Sequence, residues 1–500
     1  MDFPRTLDSD KFPFSRDGAM RNYCEILYSN LERNPRGAAV WYHGEIYSYA
    51  QLCGFVDGFS SFLFKRGVSL GDKVCVFLPN SLSLAVSVFS IARLGAVCVP
   101  IDSACGTEEI RHCLEFSKPA LIVTDESLAH TMDAVSGGIN TICVTRDNFL
   151  GEAPADPPGN HPSEKAIYLF STGSTGKPKC VARSHANMIA LARNHTATIN
   201  WDSGDRILFS IPISHTYGLG NFVSAVSVGA CCYFLPRFTR KEVLGVLEEE
   251  QITIFPAVPF MLETLARSAS RGDYDFPRLK HVISAGAPLP EETFFSFHRA
   301  FGVYPRQLYG SSETGVMAIN IAEKIEEKRL SVGVEVENVV IRVVSETGKK
   351  LPVGQIGEII IRSPSMTDGY VDFPEETERV FVDGFYHTGD LGMFDGDGYL
   401  FICGRKKLFI NISGNKVDPF EVENLLMTHG KITEAAVIGT PGAGGREEVK
   451  AFIVADGLTR REVVDFCRGK ISDYKIPAKM EFVDVLPRSP AGKVLREKLK

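Results

Sequence analysis

Short runs of β-branched and other apolar residues alternate, through the first two thirds of the chain, with longer amphipathic segments. The runs have the length of strands and the segments have the length of helices. Because strands that alternate with helices usually form parallel sheets, the pattern predicts parallel sheets covered by helices. The predicted strands are residues 73–78, 120–124, 165–170, 206–211, 252–255 and 281–284, and a helix is expected from His185.

The pattern changes at about Val332, where β-rich pieces joined by glycine-containing turns replace the alternation. These pieces are residues 339–344, 356–361 and 399–402. A third pattern follows Gly404, with strands predicted at 409–412, 433–438, 448–454 and 481–485 and helices at 419–428 and 459–471. Asp418 and Pro419 are typical of a helix start, because the Asp side chain can cap the helix and proline suits its first position.

Together the three patterns predict an α/β plus α+β fold in two domains. Residues 1–404 are expected to form a large N-terminal domain, with helix-covered parallel sheets and a β-rich subdomain. Residues 405–500 are expected to form a small, mobile C-terminal α+β domain, which is below the usual domain size but large enough to fold.

The composition is typical of a soluble globular protein. Of the 500 residues, 44% are hydrophobic and 23% are charged, which leaves little room for long disordered segments. A formal net charge of −7 argues against a nucleic acid as the principal partner. The N-terminal residues lack a signal-peptide core, and the apolar stretches 84–101 and 221–235 are interrupted by Arg93 or too short to span a bilayer. We therefore expect a cytoplasmic protein without an integral membrane segment.

The twelve cysteines are scattered along the chain and contain no C-x-x-C pair. This spacing predicts neither a zinc site nor a redox-active dithiol. Buried, reduced thiols are the simplest interpretation, and they agree with a cytoplasmic location.

Residues 171–179, Ser-Thr-Gly-Ser-Thr-Gly-Lys-Pro-Lys, are the first segment with recognisable chemistry. Glycines that let the backbone approach an anion, hydroxyls that donate to phosphate oxygens and two lysines suit a triphosphate-binding loop. The loop is not a Walker motif, because proline follows Lys177 where that motif has Ser or Thr. Ser174 and Lys177 also have the spacing of a β-lactamase nucleophile, but the S-D-N and K-T-G segments of those enzymes are absent. Taken alone, the segment is also compatible with a flexible surface turn.

Four further segments follow the Ser/Thr/Gly loop in a fixed order. They are Tyr-Gly-Ser-Ser-Glu-Thr-Gly at 309–315, Tyr-His-Thr-Gly-Asp-Leu at 386–391, Gly-Arg-Lys-Lys at 404–407 with Ser-Gly at 413–414, and Pro-Arg-Ser-Pro-Ala-Gly-Lys at 487–493. In this order the five segments resemble those of the adenylate-forming superfamily, which contains acyl-CoA synthetases, peptide-synthetase adenylation domains and luciferases. The resemblance runs from about Tyr23 to Lys500 and is closest to AMP-forming acyl- or aryl-CoA ligases.

The resemblance implies an ATP site with Mg²⁺ beside the phosphates. Glu313 takes the position of the magnesium carboxylate, which agrees with the preference of Mg²⁺ for oxygen ligands. Ser312 stands where many members have threonine and keeps the hydroxyl expected at the α-phosphate. The other implied nucleotide-binding residues are Thr172, Ser174 and Lys179 at the β- and γ-phosphates, Tyr309 and Gly286-Ala287 around adenine, Asp390 at the ribose hydroxyls, and Arg405 near the nucleotide.

The resemblance also implies a two-step reaction with a moving C-terminal domain. Lys493 matches the catalytic lysine, whose ammonium bridges the attacking carboxylate and the α-phosphate. Lys407 matches the hinge about which the small domain rotates, although Leu408 departs from the acid that many CoA ligases carry there. Ser413 and Gly414 match the segment that lines the tunnel for the pantetheine thiol of coenzyme A.

The acyl pocket is the least determined part of the site. His215 lies where acyl- and aryl-CoA synthetases often have histidine, and with Lys493 it is a candidate catalytic residue. Domains that activate amino acids usually place Asp there, so an amino-acid substrate is disfavoured. Candidate pocket walls, each of which is also compatible with core packing, are Tyr217, Gly220, Phe222 and Val258.

These residues predict an ATP-dependent ligase that converts an aryl or medium-chain fatty acid to acyl-AMP and transfers the acyl group to coenzyme A. One alternative acceptor is the phosphopantetheine of a separate acyl carrier protein. A non-catalytic nucleotide-binding or regulatory protein is the alternative of another class, and the joint presence of Glu313, Asp390 and Lys493 counts against it.

Overall fold

The computed structural model describes residues 20–150, 164–171, 179–267, 269, 272–406, 410–412, 415–417, 419–442, 447–488 and 494–499. Contacts between residues divide the chain into two compact units. The first unit contains residues 1–170, 180–237 and 364–368, and the second contains residues 171–179, 238–363 and 369–500. The predicted domain boundary after residue 404 falls inside the second unit and stays a prediction.

The first unit contains two sets of strands with helices between them. One sheet has the order β6-β5-β3-β4-β7-β8, and the other strands have the order β9-β10-β1-β2. The elements in this unit are α1 Cys24–Arg33, β1 Ala38–Tyr42, β2 Glu45–Ser48, α2 Tyr49–Phe64, β3 Lys73–Phe77, α3 Leu82–Arg93, β4 Val97–Ile101, α4 Thr107–Ser117, β5 Leu121–Thr124, α5 Ala129–Asp133, β6 Thr141–Cys143, β7 Lys165–Ser171, β8 Lys179–Ser184, α6 His185–Ile199, β9 Arg206–Phe209, α7 Thr216–Val228 and β10 Cys231–Phe234.

Buried parallel strands form the centre of this unit. Strands β3, β4 and β5 run parallel, and every residue of β4 and β5 is buried, as expected of sheets covered on both faces. Side-chain caps start the covering helices: Ser48 and Ser184 each form a capping box, and Ser81 accepts a hydrogen bond from the backbone N–H of Leu84.

The second unit begins with parallel strands and continues with antiparallel ones. Strands β11, β12 and β13 are parallel neighbours, and β14 and β15 extend them antiparallel. A second sheet has the order β16-β17-β19-β18, with β20 paired to β19. Its elements up to residue 405 are α8 Arg240–Glu249, β11 Ile254–Ala257, α9 Pro259–Ala266, β12 His281–Ser284, α10 Glu291–Phe301, β13 Pro305–Ser311, β14 Gly315–Ile319, β15 Val334–Glu335, β16 Val340–Val344, β17 Gly357–Arg362, α11 Pro374–Val380, β18 Phe381–Val382, β19 Phe385–Phe394 and β20 Leu400–Arg405.

The C-terminal part of the second unit is a small α+β arrangement. A two-stranded hairpin, β21 with β22, precedes a sheet of order β23-β24-β25. Its apolar core includes Val437, Val449 and Val463, each fully buried. The elements are β21 Ile410–Ile412, β22 Asn415–Val417, α12 Pro419–Met427, β23 Ile432–Pro441, β24 Glu447–Ala455, α13 Arg460–Cys467 and β25 Lys479–Phe482.

The structure confirms the predicted fold class, and it corrects two predicted elements. The helix expected at 459–471 ends at Cys467, because Arg468 leaves the helical conformation and Gly469 has a φ of +72°. The strand expected at 481–485 is β25, which pairs in parallel with β24, while Val485 is exposed. Pro419 begins α12 as predicted, whereas its predicted cap Asp418 lies outside the described residues.

All twelve cysteines lie within the described residues, and none forms a disulfide. Nine of them are buried, as predicted for reduced core thiols, while Cys105 and Cys403 are half-buried and Cys143 is exposed. None of the helices in the described ranges combines the length and the apolar character that crossing a membrane requires.

Candidate active site

Four predicted site residues lie at the carboxyl ends of three neighbouring parallel strands in the second unit. Val258 follows β11 directly, Gly286 and Ala287 follow β12, and Tyr309 lies near the end of β13. The register pairs Ala257 with Ser284 and Ser284 with Gln307, so these ends meet at one edge of the sheet. Such edges are where open α/β sheets bind ligands. Gly286 has a φ of +87°, a conformation that glycine adopts without strain.

Tyr309, Asp390 and Arg405 form one connected group in the second unit. The Tyr309 hydroxyl donates to Oδ2 of Asp390 at 2.6 Å, and Nε of Arg405 lies 3.2 Å from Oδ1. Asp390 and Arg405 are cross-strand partners on β19 and β20, which fixes their separation. Burial, and then the charge of Asp390, raises the pKa of Tyr309 well above its usual value, so the phenol stays protonated and remains a donor.

Glu313 lies in the turn between β13 and β14, after the half-exposed Ser312. Its side chain is mostly buried, and Oε1 accepts a hydrogen bond of 2.8 Å from the Tyr370 hydroxyl. A carboxylate is the kind of ligand that a hard cation such as Mg²⁺ prefers. Within the described part of the chain no cluster of three or more His, Cys, Asp and Glu side chains forms a ready-made metal site. A magnesium ion at Glu313 would therefore need phosphate oxygens as further ligands.

Lys179, at the end of the Ser/Thr/Gly loop, pairs with Glu376 of α11. Its ammonium also lies 5.0 Å from the centre of the Tyr370 ring, a cation–π distance. Glu376 is held from its other side by Arg379, with Nε of Arg379 2.8 Å from Oε2. Partial burial acts to raise the pKa of Glu376, but the hydrogen bonds from Arg379 and Lys179 outweigh it and lower this pKa to about 2.

Tyr370 and Glu376 were not predicted as site residues. They link Glu313 and Lys179, two positions that the sequence motifs had identified, into one chain of contacts. The only local signal was the Pro374 helix start with Glu375 and Glu376 in its first turn, which is typical of many helices.

In the first unit, His215 and Asp102 lie together at the carboxyl ends of strands. Asp102 is the first residue after β4, and His215 is the N-cap residue of α7, in the loop that follows β9. Nε2 of His215 lies 2.8 Å from Oδ2 of the buried Asp102. Both atoms are buried, and their separation is that of a hydrogen bond.

Asn80, which follows β3, fixes the loop that carries His215. Its buried side chain donates to the carbonyl oxygens of Phe209 and Ile211 at 3.2 and 2.8 Å. It also accepts from the N–H of Ile213 at 2.9 Å. The amide therefore satisfies three backbone groups of one loop, which holds that loop in a single conformation.

The predicted pocket positions on α7 differ in their surroundings. Tyr217 is half-buried, whereas Gly220 is buried and a side chain there would lie 3.2 Å from Leu191 of α6. Phe222 is fully buried and packs at 5.5 Å from the ring of Phe89. Gly220 and Phe222 thus contact the core of the first unit, and their role as pocket walls stays a prediction.

Several predicted site positions cannot be placed. Those outside the described residues are Thr172, Ser174, Lys407, Ser413, Gly414 and Lys493. Their roles continue to rest on the sequence motifs.

Two sequence families cover most of the chain. The AMP-binding enzyme family matches residues 27–371, and the AMP-binding enzyme C-terminal domain matches residues 421–493. The chain belongs to the AMP-binding enzyme family. This confirms the resemblance to adenylate-forming enzymes that the five motifs indicated.

Relatives within the family align along almost the whole chain. The feruloyl-CoA synthase of Amycolatopsis sp is 30% identical over 471 residues, covering 93% of this chain and 95% of the relative. The fatty acid–[acyl-carrier-protein] ligase ScoC of Streptomyces coeruleorubidus is 28% identical over 489 residues, covering 94% of each chain. The crystal structure of ATP-bound MatB from Rhodopseudomonas palustris has a TM-score of 0.89 and 28% identity, covering 96% of this chain and 98% of that one. The fold of this chain is thus that of an adenylate-forming enzyme.

Proposed function

We propose that this chain is an AMP-forming carboxylate ligase with two half-reactions. In the first, an oxygen of the carboxylate attacks the α-phosphorus of ATP, the bond to the β-phosphate oxygen breaks, and acyl-AMP and pyrophosphate result. In the second, the thiol of coenzyme A loses its proton and attacks the acyl carbon, which releases AMP and forms the thioester. The observation that carries this proposal is the connected group of Tyr309, Asp390 and Arg405 beside the strand ends of the second unit.

The nucleotide roles follow from the chemistry of the contacts. Asp390 lies between Tyr309 and Arg405, and a carboxylate is the acceptor that two ribose hydroxyls require. Lys179 supplies positive charge for the β- and γ-phosphates once it leaves Glu376. Mg²⁺ bound by Glu313 and the phosphates would neutralise charge on the pyrophosphate that leaves.

Lys493 completes the first half-reaction in this proposal. Its ammonium neutralises the charge that develops between the carboxylate and the α-phosphate, so no side-chain nucleophile is needed. Rotation about Lys407 then withdraws Lys493 and brings Ser413 and Gly414 to the thiol path. The match of the C-terminal family to residues 421–493 supports the assignment of Lys493 to this domain.

The substrate is proposed to be an aryl or medium-chain acid without an amino group. The segment 211–220, which carries His215, contains no Asp or Glu. The structure brings one acid next to it, but Asp102 is buried, and its two oxygens already face Nε2 of His215 and the N–H of Ala104. Burying an unpaired ammonium costs several kcal/mol, so amino acids are rejected. The names of feruloyl-CoA synthase and ScoC support acids of these two classes.

The acceptor is proposed to be coenzyme A, with an acyl carrier protein as the second candidate. The likeness to feruloyl-CoA synthase favours coenzyme A, and the likeness to ScoC favours the carrier protein. On the small C-terminal part, Lys450 pairs with Glu481 at 2.9 Å and Lys475 with Glu421 at 2.6 Å. Lys450 and Lys475 are candidate cations for the 3′-phosphate of coenzyme A, and paired cations attract that phosphate less strongly than unpaired ones.

A pyrophosphate-release assay tests the proposal. The chain, ATP and Mg²⁺ are mixed with 3-phenylpropionate, octanoate or phenylalanine, and we expect release with the first two and little with phenylalanine. Asp390→Asn should raise the KM for ATP strongly, whereas Asp397→Asn, at an exposed residue paired with Lys328, should leave it unchanged. Release with no carboxylic acid at all would overturn the proposed function.

The acceptor is tested in the same mixture by adding coenzyme A or a phosphopantetheinylated carrier protein. Consumption of free thiol with coenzyme A alone is the expected result. If acyl-AMP accumulates with coenzyme A and is consumed only with the carrier protein, the carrier protein is the acceptor. The proposed adenylation step would be unaffected by that result.

A further inference from the structure

Asp102 makes contacts that the proposed mechanism does not yet use. Its side chain is buried at the end of β4, and Oδ1 accepts a hydrogen bond of 2.9 Å from the N–H of Ala104. Oδ2 faces Nε2 of His215 at 2.8 Å. Neither Oδ2 nor Nε2 has another hydrogen-bond partner among the described residues. Each of these two buried atoms therefore depends on the other for its polar contact.

The carboxyl group of Asp102 is ionised in this setting. Burial alone would raise its pKa, but His215 and the N–H of Ala104 outweigh burial, and the pKa lies below its usual value. An ionised carboxylate accepts hydrogen bonds and donates none, so Nε2 must carry the proton that lies between the two side chains. The contact thus selects one tautomer of the His215 ring.

The opposite edge of the ring is open to a ligand. The His215 side chain is 36% exposed, and Nδ1 makes no hydrogen bond within the described part of the chain. The backbone of His215 is fixed on both sides, because its N–H donates to Pro212 and its carbonyl accepts from Leu219 at 2.8 Å. With the backbone and Nε2 both held, the direction of Nδ1 is set before any substrate arrives.

We propose that Asp102 is a positioning residue of the acyl-acid site, which holds the His215 ring by Nε2 and directs Nδ1 at the carboxylate of the substrate. This rests on the proposed function of the chain as a carboxylate ligase. In the proposed complex the ring gains a second proton from solvent, on Nδ1, and then donates one N–H to Asp102 and one to the carboxylate of the acid. Both hydrogen bonds are then between charged groups, which are about twice as strong as neutral ones.

Asp102→Asn tests the proposal, because the contacts of Asp102 determine the orientation of the new side-chain amide. The N–H of Ala104 requires an oxygen at the position of Oδ1, so the amide nitrogen takes the position of Oδ2. That nitrogen donates to Nε2 and forces the ring proton onto Nδ1. The substitution therefore keeps the shape of the side chain, reverses the tautomer of His215 and removes the counter-charge.

The first measurement is ¹⁵N NMR of histidine-labelled enzyme without substrates. The His215 signals are those absent from His215→Gln. We expect Nε2 to carry the proton in the parent enzyme and Nδ1 to carry it in Asp102→Asn. This NMR measurement does not require an active enzyme, so it tests the contact between Asp102 and His215 independently of the proposed function. An unchanged tautomer in Asp102→Asn would overturn the inference.

The second measurement is the kinetics of pyrophosphate release. We expect Asp102→Asn to raise the KM for the carboxylic acid about tenfold and to change the KM for ATP less than twofold. In a His215→Gln background, where the glutamine amide can still donate to Asp102, the same change should have no further effect on the acid. An additive effect of the two substitutions would overturn a role through His215.

Asp57→Asn is the matched control. Asp57 is a partly buried acid of the same unit, which pairs with Arg93 at 2.8 Å and accepts from the Tyr28 hydroxyl. Asp57→Asn removes the carboxylate that pairs with Arg93, so it should lower the free energy of unfolding and leave the KM for the carboxylic acid substrate unchanged. If Asp57→Asn raises that KM as much as Asp102→Asn does, the effect is general destabilisation and the inference fails. If the parent enzyme releases no pyrophosphate with any acid, the proposed function fails while the NMR result still decides the contact.

Discussion

Replacing Gly218 with alanine should destabilise the first unit. Gly218 lies in the first turn of α7, and a Cβ atom there would be 2.1 Å from the carbonyl oxygen of Pro212 and 2.9 Å from Cα of Ile213. Ordinary contacts of this kind are near 3.5 Å, so the helix and the loop must separate by roughly 1 Å. Overpacking of this kind costs about 1–3 kcal/mol, and the better helix propensity of alanine returns about 0.5–1 kcal/mol. Because the contact is with backbone atoms, the upper half of the overpacking range, about 2–3 kcal/mol, applies, and the net loss should be about 1–2.5 kcal/mol.

Gly54→Ala is the matched control, because Gly54 is also a glycine inside a helix of the first unit. It lies on the exposed face of α2, and a Cβ atom there meets nothing within 4 Å. Only the propensity term remains, so this variant should be more stable by about 0.5–1 kcal/mol. The two substitutions are chemically identical and should change the stability in opposite directions.

Urea unfolding followed by tryptophan fluorescence measures the effect. The only two tryptophans of the chain are Trp41 and Trp201, and both lie in the first unit, so the signal reports that unit. Gly218→Ala should also raise the KM for the carboxylic acid, since the displaced loop carries His215. Equal stability changes in the two variants would refute the argument from the 2.1 Å contact.

Three further substitutions test the second unit. Tyr309→Phe removes the hydroxyl that donates to Asp390, and a hydrogen bond to a charged group is worth about 1.5–3 kcal/mol. Urea unfolding followed by circular dichroism should show that the free energy of unfolding falls by that amount. An unchanged free energy of unfolding would contradict this prediction. Glu376→Gln should lower the KM for ATP, because Lys179 no longer pairs with a carboxylate, and a higher KM would show that Glu376 positions the lysine instead. Since the pKa of Glu376 is depressed to about 2 from 4.5, its contribution to stability should be complete above about pH 4.5 and be lost as the pH falls towards 2, which acid unfolding of the parent and Glu376→Gln will show. Lys493→Ala should lower the rate of acyl-AMP formation by orders of magnitude, where each factor of ten corresponds to about 1.4 kcal/mol of barrier. The rate of thiolysis of supplied acyl-AMP should be unchanged. Equal loss of both steps would contradict the rotating-domain mechanism.

The sequence was most informative where the signal is local. The strand at 281–284 was predicted with its observed bounds, because a short β-branched run between polar segments is sufficient to identify a buried strand. The helix predicted to reach residue 471 ends at Cys467, since its amphipathic pattern continues past a glycine whose positive φ the sequence does not reveal. Element type thus followed from the pattern, whereas element ends depended on backbone geometry.

The same distinction applies to the site. Tyr309, Glu313 and Asp390 were identified because each lies in a short motif with a fixed order along the chain. Nothing local could identify Tyr370, because its role depends on where its hydroxyl meets Glu313.

Asp102 shows why such contacts escape a reading of the sequence. It follows a fully buried strand, where an acid is most simply interpreted as a turn residue, and its partner His215 belongs to a motif far along the chain. Asp102 contacts His215 only because the fold brings the ends of β4 and β9 together. Without such a partner, burying the carboxylate would cost several kcal/mol. In the proposed site, the contact that sets the direction of His215 is therefore one that the fold creates, whereas the residues proposed to touch the substrates are those that the motifs indicate.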